Sequence, residues 1–435
     1  MALDPYFKFS SGGDRAFTVE APKIKFGTDA LLELGDDARA LGMTRIALYT
    51  DPIVAELEPV KTALQSLSAS NIDVAVYDQT EVEPTDRSFK AATKFAIDGK
   101  FDGFVSVGGG SVMDTAKASN LYSTYPEEFL TYVNAPIGLA RPVPGPLKPH
   151  IACPTTFGTA SECTGIAICD MSELSAKTGI ADARLRPSLG ILDPKSLVTL
   201  PRPVIAANGF DVFSHAIESL TARPFSQRPA PENSNFRPLG QGANPYSDIA
   251  CQESIRLIGE NLITAVNEKD NIVSLEHLMF ASMLAGIGFG NAGCHLPHAM
   301  SYAVAGLTHD YSAAGWPTNH PMVPHGISVI VNAPAVFRFT GPACPERHLR
   351  AAEAMGANIT EVALKDAGNI LADQVINMMH LTGIPNGIGE LGYKEYDLEA
   401  LAEKAYLQQR LIVNSPKVPD QEQLKELFRD TLNYW

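Results

Sequence analysis

Over the first two hundred residues the apolar positions change period repeatedly. Residues 15–27 alternate as in a strand and end on Gly27, whereas Asp29 to Leu41 takes the three-to-four-residue spacing of an amphipathic helix. The strand 45–50, the helix 54–67, the strand 72–77, the helix 88–98 and the strand 103–108 follow in turn. Two further strand-like runs lie at 151–154 and 189–192. This alternation predicts βαβ units around a parallel sheet. Beyond residue 203 the pattern is helical: 204–221, 246–267, 275–289, 326–339, 346–356, 361–381 and 397–407.

The change of rhythm predicts an α/β domain over residues 1–202 and an all-α domain over 203–435, meeting near Leu200-Pro201-Arg202-Pro203. A chain of 435 residues also exceeds what one hydrophobic core usually serves. Between Arg223 and Tyr246 runs a loop rich in Pro, Asn, Gly and Gln. It is long for a plain connection, so we expect a mobile excursion, a subunit contact or an active-site element.

Composition narrows the partners. A net charge of −15 argues against nucleic acid or an anionic membrane as partner, since either would need a basic face. No unbroken apolar run reaches the ~18 residues of a membrane span. The six cysteines show no CxxC spacing and read as reduced thiols. The first residues resemble neither a signal nor a transit peptide, so the expected location is cytoplasmic.

Candidate chemistry centres on Asn208–Ser219, a helical stretch in which Asp211 and His215 are four residues apart and share a face. A carboxylate and an imidazole so placed are half of a site for Fe(II), Mn(II) or Zn(II). His298 and His325 lie downstream in apolar, Gly-rich surroundings, where an unpartnered imidazole is costly to bury. Together the four supply a full protein donor set, with His295, His309 and His320 as rivals.

A second signal is Gly108-Gly109-Gly110-Ser111, which follows a strand and opens a helix containing Asp114 and Lys117. Glycines let the backbone approach a pyrophosphate, and the helix N-terminus offers free N–H groups. Thr155, Thr156, Thr159 and Thr164 add hydroxyls after another strand. Asp51 ends an early strand, as does the acid that binds an adenosine ribose in dinucleotide folds, and it favours NAD over NADP.

With these motifs in order, the chain resembles the iron-containing alcohol dehydrogenase family. The resemblance rests on Gly108–Lys117, Pro154–Glu162, Asp211 with His215, and the His298 and Pro324-His325-Gly326 segments. It implies an α/β N-terminal dinucleotide-binding domain followed by an all-α C-terminal metal-binding and substrate domain. It also implies Fe(II), with Zn(II) as the alternative, held by Asp211, His215, His298 and His325. NAD would be lined by Asp51, Gly109, Gly110, Ser111, Asp114, Thr155, Thr156, Thr159, Thr164 and Lys177. Within the family the sequence most resembles the transhydrogenase branch, which passes a hydride from a hydroxy acid to an oxoacid through a nicotinamide that stays bound. Small hydroxy acids or alcohols and oxoacids are thus the expected partners, in a homo-oligomer of two or more chains. Many shorter members carry a second histidine four residues after the one matching His298. Tyr302 stands there instead and becomes the candidate for proton handling. Arg184, Arg186, Arg338, Arg347 and Lys177 are candidate partners for a substrate carboxylate.

Overall fold

Residues 4–172, 176–234, 237–268, 271–316 and 320–435 are described in the computed structural model of the chain. Contacts divide them into two units, Ala21–Thr199 and the remainder, which joins the chain up to Glu20 with Leu200–Trp435.

In the first unit the strands are β1 (Ile24–Phe26), β2 (Arg45–Tyr49), β3 (Asp73–Tyr77), β4 (Gly103–Gly108), β5 (His150–Pro154) and β8 (Leu189–Leu192). They form one parallel sheet in the order β1-β8-β5-β4-β2-β3. The helices are α1 (Leu34–Ala40), α2 (Glu58–Ala69), α3 (Asp86–Gly99) and α4 (Gly110–Thr124). Strand alternation explains the layering. Ile46, Leu48, Val105 and Val107 face a core shared with Leu34, Ala38, Val60 and Leu67 of α1 and α2. Ala47, Tyr49 and Phe104 turn the other way, onto Ala92, Ala96, Val112 and Ala116 of α3 and α4. β4 is buried on both faces, which is why it reads as a continuous apolar run. The strand order reverses between β2 and β4, and open α/β sheets bind ligands at the carboxyl ends of strands flanking such a reversal.

Two strands were not expected from the sequence. β6 (Ile166–Met171) and β7 (Ala176–Ala181) form an antiparallel pair in which Asp170 faces Lys177, and β6 packs on α4. The strand expected over 15–27 shrinks to Ile24–Phe26, because Pro22 offers no N–H and the residues before it run elsewhere.

The second unit is built on α5 (Arg202–Thr221), buried along almost its whole length and packed by α6 (Pro245–Asn267), α7 (Ile272–Ala292) and α9 (His325–Ile330). The other helices are α8 (Leu296–Gly306), α10 (Ala333–Thr340), α11 (Pro345–Ala354), α12 (Ala367–Thr382), α13 (Leu398–Tyr406), α14 (Gln409–Ile412) and α15 (Gln421–Asp430). The single helix expected over 326–339 is broken at Val331–Asn332. Pro334, in the first turn of α10, cannot continue the hydrogen-bond ladder of α9. α7 is long and apolar enough to cross a membrane by length and composition, but 56% of its most apolar window is buried in this fold. Its packing against α5 and α6 makes it a core helix.

The 223–246 loop, apart from residues 235–236 outside the described set, clasps the N-terminal arm. The Asp14 carboxylate accepts from Arg228 at 2.8 Å and Arg237 at 2.9 Å, and the Thr18 N–H donates to Gln241 at 2.9 Å. Further along, the Glu20 N–H donates to Asn291 of α7 at 2.8 Å. At the start of the arm, Tyr6 hydrogen-bonds Asp248, and Arg347 covers the Tyr6 ring while pairing with Asp248 at 3.0 Å.

Candidate metal centre and nucleotide turn

α5 places Asp211 and His215 on one face, one turn apart. His298 comes from the first turn of α8, where Pro297 is tolerated because the early N–H groups have no helical partner. His325 opens α9 directly after Pro324. Donor atoms of the four residues lie within 4.8 Å of one another. His298 Nε2 is 3.1 Å from His215 Nε2 and 3.7 Å from Asp211 Oδ1, and His325 Nε2 is 3.6 Å from the same oxygen. These separations approximate the ~3.4 Å edge of a tetrahedron with metal–nitrogen bonds of ~2.1 Å. Three imidazoles and one carboxylate at that spacing therefore fit a divalent metal ion.

The surroundings hold the donors still. The Phe289 ring stacks on His215 at 4.1 Å between centroids, sealing one side of the site with an apolar face. Glu218, one turn beyond His215 on α5 and fully buried, accepts from His298 Nδ1 at 2.6 Å. Burial alone would depress the His298 imidazole, but the Glu218 carboxylate reverses this and holds it well above its ordinary range. None of the sequence motifs singles out Glu218. The available signal was an acid at the i+3 position from His215 in an otherwise apolar helix.

The rival histidines are occupied elsewhere. His295 caps α8, its Nδ1 accepting from the Leu296 N–H at 2.7 Å while Nε2 meets Thr221 Oγ1 at 2.9 Å. Burial pulls its imidazole down to about 4. His309 sits 3.3 Å from Asp397, and His320 is exposed. Tyr302 lies one turn along α8 from His298 and is partly buried.

In the α/β unit, Gly109 caps α4 and Gly110 is its first residue. A Cβ on Gly110 would lie 2.7 Å from the Thr159 side chain, and one on Gly109 would lie 3.3 Å from Thr156. The glycine and threonine turns thus pack backbone against side chain, and the Thr155 N–H donates to Gly108 O at 3.0 Å. Asp51 accepts from the Ile53 and Val54 N–H groups, both at 2.9 Å, just past β2. Ser111 Oγ accepts from the Glu83 N–H at 3.3 Å. Thr164, which ends the threonine turn, is buried.

Beneath the turn lies a buried polar knot. Asp114 accepts from Ser161 Oγ at 2.6 Å and from the Ile168 N–H at 2.9 Å, so both its oxygens are engaged within the protein. Lys117 Nζ donates to Ser161 O at 2.7 Å and Ile166 O at 2.8 Å, and burial pulls it down to about 8. Burial also pushes the Glu162 carboxyl up to about 7. Lys177 is clamped by Glu83 and by Asp170 at 3.2 Å. Burial opposes its charge, but those carboxylates hold it above its usual value.

The five candidate cations for a substrate carboxylate all have protein partners. Arg184 pairs with Asp182, Arg338 with Asp373, Arg347 with Asp248 and Lys177 with two acids, while Arg186 donates to Cys163 O.

A parallel-sheet unit with a glycine turn, and a helical unit gathering one carboxylate and three imidazoles, match the plan expected of a metal-dependent oxidoreductase. Comparison with known proteins makes this specific: the chain belongs to the iron-containing alcohol dehydrogenase family. Residues 21–194 match that family and residues 239–432 match the C-terminal region of Fe-containing alcohol dehydrogenases. Over 424 residues it is 45% identical to the mitochondrial hydroxyacid-oxoacid transhydrogenase of Xenopus laevis, spanning 97% of this chain and 92% of that protein. The human protein of the same name is 43% identical over 97% of this chain and 91% of its own length. Among solved structures, 1,3-propanediol oxidoreductase is similar with a TM-score of 0.84 at 30% identity, over 96% of this chain and 100% of that one. The alcohol dehydrogenase from Oenococcus oeni gives the same TM-score at 26% identity and the same coverage.

Proposed function

We propose that the chain is a hydroxyacid-oxoacid transhydrogenase, oxidising 4-hydroxybutyrate to succinate semialdehyde while reducing 2-oxoglutarate to 2-hydroxyglutarate. The observation that carries this reading is 45% identity over nearly the whole length to proteins of that name. The balance closes without a further oxidant, since the hydride and proton lost by one substrate are gained by the other. Asp211, His215, His298 and His325 would hold Fe(II), with Zn(II) as the alternative. Asp51, Gly109, Gly110, Ser111, Thr155, Thr156, Thr159 and Thr164 would line NAD. Asp114 and Lys177, engaged within the protein, would shape that wall from behind.

When bound, the metal supplies Lewis acidity toward a substrate oxygen, and NAD supplies the hydride acceptor and donor. The protein's own part is positioning. Phe289 keeps the His215 ring fixed and one side dry, and Glu218 keeps the His298 Nδ1 proton engaged. The Tyr302 hydroxyl, one turn from His298, takes the place of the histidine common in shorter family members and would hold the alcohol proton between half-reactions.

The test is isotopic. Purified protein given 4-hydroxybutyrate deuterated at the carbinol carbon, with 2-oxoglutarate and no added NAD, should place deuterium at C2 of 2-hydroxyglutarate. Steady NADH formation with added NAD, and no label in the second product, would assign a plain NAD-dependent dehydrogenase instead.

A further inference from the structure

Glu218 has no exposed surface and faces the start of α8 from α5, the two helices that carry His298 and His215. Each of its oxygens has a separate task. Oε1 lies 2.6 Å from His298 Nδ1. Oε2 accepts from the His295 N–H at 2.7 Å and the His298 N–H at 3.4 Å, two donors at the start of α8 that the helix itself leaves without partners. One side chain thus fastens the N-terminus of α8 to α5 and grips the imidazole that α8 presents.

We propose that Glu218 is the positioning residue of the metal centre, fixing His298 as the Nδ1–H tautomer so that the Nε2 lone pair faces Asp211 and His215. The proposal rests on the metal-site reading above. Its logic is an acceptor count. A carboxylate offers only acceptors, so Nδ1 carries a proton, and in the neutral ring that a metal requires Nε2 is then the bare nitrogen. Nε2 is also the atom 3.1 Å from His215 Nε2 and 3.7 Å from Asp211 Oδ1. Carboxylates hydrogen-bonded to ligand histidines in this way raise ligand basicity as well as fixing ring orientation.

Glu218→Gln separates this role from simple packing. Glutamine keeps the shape but replaces one acceptor by an NH₂ donor. If its oxygen serves the backbone N–H groups, its NH₂ meets Nδ1 and drives the His298 proton to Nε2, into the donor set. If it flips, the NH₂ opposes two backbone N–H groups instead.

The experiment uses full-length, metal-stripped protein with ¹⁵N-labelled histidine. Nitrogen chemical shifts, followed up in pH until the His298 ring holds a single proton, should report the Nδ1–H tautomer in the wild type and a shift toward Nε2–H in Glu218→Gln. Zn²⁺ affinity, measured by competition with a fluorescent chelator, should fall roughly 10–100-fold. Glu218→Asp keeps two acceptors one methylene short; it should lose less affinity and retain the Nδ1–H tautomer, and it stands in should the glutamine variant fail to fold. Wild-type tautomer and wild-type Zn²⁺ affinity in Glu218→Gln, even with a lowered melting temperature, would reduce Glu218 to a helix tie and overturn the proposal. Failure of the metal reading looks different: His215→Ala and His298→Ala would then bind Zn²⁺ as the wild type does. The metal-free tautomer shift would still decide whether Glu218 controls His298.

Discussion

The glycine turn and the candidate metal centre solve opposite problems. At the turn the protein removes side chains: Gly109 and Gly110 bring bare backbone against Thr156 and Thr159, with no room for a Cβ at Gly110. At the centre it gathers side chains from three helices, with donor atoms within 4.8 Å of one another that an added positive charge makes comfortable neighbours. Each half of the turn, Gly108–Ser111 and Pro154–Thr159, is written in consecutive residues, so a short motif carries it even though the two halves meet through the fold. The centre is specified by tertiary packing, so its parts lie up to 114 residues apart, from Asp211 to His325, and need α5, α8 and α9 to be placed correctly. Sites of the first kind fail by steric intrusion, and those of the second by loss of a donor or of its support.

The largest expected effect follows from that contrast. His215→Ala should empty the centre of metal and lower turnover by roughly 10³-fold or more, since metal assistance stabilises the transition state by several kcal/mol. Its affinity for NAD, measured by tryptophan or nicotinamide fluorescence, should stay near the wild-type value. Gly110→Val should do the reverse. Its branched side chain would overlap Thr159, weakening NAD binding on the order of 10²-fold while metal content by atomic emission is retained. If either variant loses both ligands, the two sites are not independently specified and the contrast fails.

The same contrast governs what could be read from the sequence. The βαβ rhythm, the glycine turn and the helical second half were legible because each depends on periods or neighbours a few residues apart. Asp211 and His215 were legible as an i,i+4 pair, and His298 and His325 because imidazoles in apolar surroundings demand a partner. Glu218 was missed, as its partner is eighty residues away. α8 was missed because it lacks the polar face that reveals an amphipathic helix and begins with Leu296-Pro297. The arm up to Glu20 hid its docking because single contacts hold it, such as Asp14 to Arg237 and Tyr6 to Asp248, with no repeating pattern. The β6–β7 pair was passed over, although the burial of β6 alternates along its length.

A middle-sized effect probes the support of the turn rather than its face. Glu162, in the threonine turn, has its carboxyl pushed by burial from 4.5 up to about 7. Between these values the folded state holds a proton that the unfolded chain has released, so stability must fall as pH rises through this window. The contribution is fully present below about 4.5 and lost above about 7, a span worth up to a few kcal/mol. Urea unfolding at a series of pH values should show this decline in the wild type and a flatter profile in Glu162→Gln. Metal affinity should be untouched by the substitution. An unchanged slope in the variant would place the pH dependence elsewhere.

The smallest expected effect concerns which nucleotide the turn accepts. Asp51 stands at the carboxyl end of β2, beside the reversal in strand order, and its Oδ1 is already committed to the Ile53 and Val54 N–H groups. Its remaining capacity is one carboxylate oxygen and a negative charge. Two ribose hydroxyls can donate to that oxygen, whereas a 2′-phosphate would meet like charge. The residue is only partly buried, so the repulsion is well screened: about 1 kcal/mol at ~4 Å in a water-like dielectric, and more where solvent is excluded. Asp51→Asn keeps an oxygen for the two N–H groups and removes the charge, so NADP use should improve by about tenfold, one such step being ~1.4 kcal/mol. Asp51→Ala removes the charge and both turn hydrogen bonds together. It should gain the same tolerance while losing about 1 kcal/mol of stability, readable as a lower melting temperature that Asp51→Asn does not show. A ratio of kcat/KM for NAD over NADP that stays fixed in both variants would mean that Asp51 only shapes the loop. Selectivity would then belong to the backbone of the turn, where no side chain is available to set it.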